Sequence, residues 1–98
     1  METRVLVGAL SNDLFRVASL AFRGADKGAS RFLIEAKKRA AELEKAKTKK
    51  YIKKIAREIS ACDENEISTE LAEKYLMYGV LLQNYALHLI SDSETASV

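Results

Sequence analysis

The sequence predicts an all-α fold, an antiparallel helical bundle. Apolar residues recur every three or four positions in each long segment, the spacing of helices that bury one face. The 98 residues contain no Pro and only four Gly, so the turn vocabulary of a sheet protein is missing. Nearly half the residues are hydrophobic (48%) and 31% are charged, which suits a globular or coiled-coil-like chain in water. A chain of this length makes one domain with a modest core. Residues 1–90 are expected to form it, and 91–98, SDSETASV, to be a disordered tail.

The first helix is expected over Glu2–Arg23, with Leu6, Leu10, Leu14, Val17, Leu20 and Ala21 on one stripe. Asp13 falls near that stripe and breaks its apolar character. Val5–Val7 would also suit a short strand, but no partner strand is visible. The stretch Gly24–Gly28 is the clearest break. Gly24 fits the position after a helix, and Asp26 or Ser30 is the expected cap of the next one. So short a connection makes the first two helices antiparallel neighbours.

Residues Ser30–Ser60 are rich in helix formers and free of Gly and Pro. Glu35 lies three and four residues ahead of Lys38 and Arg39, and Glu42 three ahead of Lys45, the favourable order for helical charge pairs. Two apolar stripes run through the segment. Phe32, Leu33, Ala36, Ala40 and Leu43 make the first; Tyr51, Ile52, Ile55, Ala56, Ile59 and Cys62 make the second. The second is rotated from the first by about 100°, one residue's turn. The slip falls at Lys45–Lys50, where no Gly, Pro, Asn or Asp terminates a helix. The expectation is therefore one continuous helix and a three-helix bundle. A break near Thr48 would make it four.

Ala61–Ser68 is acidic and polar, with Asn65 suited to a turn. Ser68 is the expected N-cap of the last helix, with Glu70 in its first turn where the helix dipole favours an anion. That helix is expected from Thr69 to about Ile90. Its main stripe is Leu71, Ala72, Tyr75, Leu76, Gly79, Leu82, Ala86, Leu89 and Ile90. Gly79 costs about 1 kcal/mol relative to Ala, a sacrifice that makes sense where another helix comes close. Met77, Val80, Leu81 and Leu87 lie off the stripe, so this helix is apolar on more than one side.

Charge is segregated. Residues 23–57 hold thirteen Lys/Arg against four Asp/Glu, a net of +9. Residues 58–98 hold Lys74 against eight acids, a net of −7. The basic helix 37–57 offers Lys37, Lys38, Arg39, Lys49, Lys50, Lys53, Lys54 and Arg57 as phosphate contacts for a nucleic acid. Only Tyr51 interleaves them, which argues against stacking on a single strand. The competing reading is a solvated face partly neutralised by the acidic segment.

A lone Cys62 and a lone His88 exclude an internal disulfide and Cys/His zinc spacing. There is no phosphate loop, paired-carboxylate motif or metal-ligand spacing, so no catalytic residue, cofactor or metal is expected. Cys62 as a nucleophile would need His88 beside it. A third class is a small helical enzyme whose Arg and Lys side chains hold an anionic substrate. The loop before Ser68 is too long and acidic for a helix-turn-helix. No apolar run approaches the roughly 18 residues of a membrane span, and Val5–Leu10 is short for a signal-peptide core. A cytoplasmic, membrane-free protein is the expectation.

The function expected from these residues is a small non-enzymatic interaction or structural module that self-associates. Met77, Val80, Leu81 and Leu87 are its expected dimer interface. The partner is then a second copy of the chain, or another protein. The alternative is nucleic-acid binding through helix 37–57.

Overall fold

The computed structural model describes the backbone of residues 2–96 and the side chains of residues 2–89. It holds four helices: α1 (Thr3–Phe22), α2 (Asp26–Glu44), α3 (Lys50–Ala61) and α4 (Thr69–Ala96). The chain is 82% helical, with no strand among the described residues, so Val5–Val7 is helical. The side chains of 90–96 and the whole of 97–98 lie outside the described residues. The backbone of α4 continues past the expected end at about Ile90, to Ala96.

α1 is the central helix. It packs on α2 and on α4, and α3 packs on α2. Leu6, Leu10, Leu14, Val17 and Ala21 are buried as the stripe predicts, and Val7, Ser11 and Ala18 are buried beside them. A helix with neighbours on two sides needs this wider apolar arc. By length and composition α1 could also cross a membrane, and half of the stretch concerned is buried between helices here. Asp13 and Arg16 interrupt the apolar run of α1, so the sequence shows no unbroken span.

Asp13 is 6% exposed. Its carboxylate accepts a hydrogen bond from Arg39 of α2, which answers the blemish in the stripe. The Arg16 guanidinium lies 5.2 Å from the Phe32 ring centre. Both contacts join positions that rise along α1 to positions that fall along α2, as an antiparallel pair requires.

α1 ends in a Schellman motif. Gly24 has φ 77°, the Gly24 N–H bonds the Ala21 carbonyl at 3.0 Å, and the Ala25 N–H bonds the Leu20 carbonyl at 2.8 Å. The turn is so tight that α2 begins at Asp26, with Ala25 in the cap position and no side-chain cap bond. The expected capping by Asp26 or Ser30 is thus corrected. Asp26 sits inside the first turn, where its charge faces the positive end of the helix dipole.

The expected continuous helix over 30–60 is also corrected. The chain leaves α2 at Glu44 and re-enters a helix at Lys50. Tertiary packing overrides the local signal. With the break, Ala36, Ala40 and Leu43 of α2 and Ile52, Ile55, Ala56 and Ile59 of α3 are buried in one core. α3 turns back far enough for the Ser60 hydroxyl to donate to Glu44 at 3.2 Å. A second cause is local and distributed. A continuous helix would stack Lys45 on Lys49 and Lys47 on Lys50, each a destabilising like-charge pair that the break removes.

In the loop before α4, the Asn65 N–H donates to Asp63 Oδ1 at 2.9 Å and the Glu66 N–H to the Asp63 carbonyl at 3.0 Å, a turn begun by Asp63. Ser68 caps α4, its Oγ accepting from the Leu71 N–H at 3.1 Å. Gly79 does what its place in the stripe suggests. A Cβ there would lie 2.8 Å from a ring carbon of Phe15, and the Ser11 hydroxyl donates to the Gly79 carbonyl at 2.7 Å. α1 and α4 come close together at this point.

The start of α3 has no side-chain cap at Lys49 and no acid in its first turn. Lys49→Ser should therefore be more stable than Lys49→Ala by about 1 kcal/mol, the gain of an N-cap oxygen. In an uninterrupted helix the order reverses, because Ala is the better interior residue by roughly 0.5 kcal/mol. Urea unfolding of the two variants measures the sign.

Candidate interaction surfaces

Two surfaces hold the residues singled out by sequence. The first is the outer side of α4. Ala72, Tyr75, Leu82 and Ala86 are buried. At about 100° per residue, Leu76, Met77, Val80, Leu81, Asn84, Leu87 and His88 fall on the opposite side. They are all exposed, the five apolar ones from 39% for Leu81 to 56% for Leu87. Leu76, expected in the buried stripe, is 42% exposed and belongs to this face. It lies at the edge of the stripe, and α1 covers the side away from it.

The break in the basic stretch leaves the outer face of α4 as the ground for expecting an interface. Although α3 folds back, it reaches α4 along Tyr75, Tyr78 and Tyr85 and does not cover the outer face. The Tyr51 and Tyr85 rings meet edge to face at 6.2 Å, and Tyr78 donates a hydrogen bond to Glu58. The contacts rise along α3 as they fall along α4, so these helices are antiparallel.

The second surface is the corner between α2 and α3. The structure divides the expected phosphate contacts into two groups. Lys37 bonds Glu64 at 2.6 Å, Lys38 lies 3.4 Å from Glu35, and Arg39 is held by Asp13. The Glu64 carboxylate beside Lys37 raises that ammonium's pKa, and Lys37 lowers that of Glu64. Lys49, Lys50, Lys53, Lys54 and Arg57 are different. Together with Lys45 and Lys47 they make seven cations in residues 45–57, a stretch with no acid. None forms an ion pair within 4.0 Å among the described residues. All but Lys53 are exposed, and Lys53 is half-buried.

Glu58, next in sequence, faces α4, where it takes the Tyr78 hydroxyl and lies 3.4 Å from Lys74. The Tyr78 bond and then the Lys74 charge hold its carboxyl below the ordinary range. Burial, and after it the Glu58 carboxylate, push Tyr78 up to about 12. Tyr75 is also raised, by burial and by Cys62 beside it.

That contact also places Cys62. It is half-buried next to Tyr75, while His88 is 13 residues further along α4, about 20 Å at 1.5 Å per residue. The two do not form a nucleophile–base pair. A shallow open depression of about 300 Å³ is lined by Asp26, Lys27, Ser30, Asn65 and Ile67, with no Cys or His. No group of three or more His, Cys, Asp or Glu side chains among the described residues is arranged to hold a metal ion.

The chain matches no family model, no curated protein and no solved structure. The two surfaces stand on their own chemistry.

The Glu58–Tyr78 contact predicts an alkaline limb in the stability profile. Tyr78 keeps its proton in the folded chain to about 12, against an ordinary value of 10.0. Between those values the unfolded chain binds fewer protons, so stability falls as pH rises. Thermal melts from pH 9 to 12 should show a shallower decline for Tyr78→Phe than for the parent chain. Equal slopes would remove Tyr78 as a cause.

Proposed function

We propose that the protein is a non-enzymatic helical module that self-associates through the outer face of α4. One observation carries this reading. Leu76, Met77, Val80, Leu81 and Leu87 stay exposed on one side of a helix whose other sides are already packed. A contiguous apolar patch of this kind marks an interface, and a two-fold pair of identical patches is the commonest way to cover one.

The test is mass in solution. At tens of micromolar, light scattering should give twice the chain mass of 10.9 kDa. Leu81→Glu should give a folded monomer, because position 81 is exposed within one chain and a charge there harms only the pair. Circular dichroism checks that its helix content is kept. A parent chain that stays monomeric at these concentrations rejects the proposal.

A second reading, nucleic-acid binding, draws support from the α2–α3 corner and its seven cations with no carboxylate within ion-pair distance. On that reading a labelled duplex binds at 50 mM salt. With 6–10 phosphate contacts its affinity falls by roughly 10³–10⁵ at 200 mM. Exchanging Lys49, Lys50, Lys53 and Lys54 for Gln abolishes that dependence. Absence of binding at 50 mM ends this reading.

A further inference from the structure

The charge pattern beside α4 selects how two copies would meet. We infer that the α4 helices of two copies pair antiparallel about the middle of their exposed apolar face, each basic end lying against the partner's acidic end. This rests on the self-association proposed above and adds its orientation.

Glu73, Met77, Val80, Asn84 and Leu87 follow one another at spacings of four, three, four and three, the seam of a helix that packs along a second helix. The apolar part of the face runs from Leu76 to Leu87. An antiparallel pair centred on it sets Leu76 and Met77 of one copy near Leu87 of the other. A parallel pair sets each residue near its own counterpart. Both orientations cover the apolar surface, so burial alone does not choose.

Charge does. α3 is antiparallel to α4, and Tyr51 at its start meets Tyr85. Lys49, Lys50 and Lys53 therefore flank the second half of α4, while Lys54 and Arg57 lie level with its middle. Asp63, Glu64, Glu66, Glu70 and Glu73 lie at its beginning, in a stretch with no Lys or Arg. The half of the molecule that carries the open face is thus basic at one end and acidic at the other. Lys37, which pairs with Glu64, and Lys74 reduce the acidic excess of the second end without reversing it. A parallel pair brings two basic ends together, with two acidic ends at the other side. An antiparallel pair matches opposite signs at both ends. Complementary potentials of this kind fix orientation at interfaces, and like charges exclude the alternative.

The test uses cysteine cross-linking in a Cys62→Ser background, with circular dichroism to confirm the fold. Met77→Cys and Leu87→Cys chains are oxidised separately and as a mixture. Antiparallel pairing predicts mixed 77–87 dimers and little cross-linking of the Leu87→Cys chain alone. Efficient cross-linking of the Leu87→Cys chain with itself overturns the orientation while leaving self-association standing. No cross-link in any sample, together with a monomer mass for the parent chain, removes both.

A second measurement keeps the native cysteine. Glu70→Lys with Glu73→Lys should weaken the dimer about tenfold or more at low salt, with the difference shrinking as salt rises and screening shortens its range. An unchanged or tighter dimer contradicts the inference.

Discussion

A straight helix through residues 30–60 would aim its two apolar stripes about 100° apart, and the bundle exists because the chain breaks between them. With the break, Leu33, Ala36, Ala40 and Leu43 from α2 join Ile52, Ile55, Ala56 and Ile59 from α3 in the core around α1. Without it, one of the two stripes would face water. α3 is only 12 residues long and starts without a cap, a length that is marginal for an isolated helix in water. Burial of its isoleucines holds it in place, so the break and the core stabilise each other.

Most of the fold was legible because its signals are local. Gly24 ended α1 where a positive φ was needed. Ser68 capped α4, and Gly79 marked a close approach of two helices. The break was not legible in the same way. No single residue at 45–49 stops a helix, and the chain leaves α2 through right-handed backbone at Lys45, without a glycine. Two clues were present, the rotated stripes and the stacking of lysines. Each is worth little alone, and their weight depends on a core that only the folded chain has. The Asp13 blemish had the same character, since its partner Arg39 lies 26 residues away.

The surfaces were legible in part. Met77, Val80, Leu81 and Leu87 stood out as apolar residues off the main stripe of α4, and all four are exposed. Leu76 was placed on the buried side, because a wheel shows where a stripe is centred but not how wide a neighbour will cover it. Among the cations, sequence alone could not separate Lys37, Lys38 and Arg39, which have carboxylate neighbours, from the seven of residues 45–57, which have none within ion-pair distance. That division belongs to the folded chain, where Glu58 turns to Tyr78 and Lys74 and Glu44 to Ser60, and none of the second group has a carboxylate within ion-pair distance.

The break is the point on which the core turns, and a distance between Glu44 and Ser60 tests it most directly. In an unbroken helix these positions are 16 residues apart, about 24 Å at 1.5 Å per residue. In the structure their side chains are hydrogen-bonded at 3.2 Å. Spin labels on cysteines at these two positions, in a Cys62→Ser chain diluted with unlabelled protein, report the separation by dipolar coupling. A short distance, on the order of 10 Å once the label arms are allowed for, agrees with a chain that folds back. A narrow distribution near 24 Å would show a continuous helix and contradict the account.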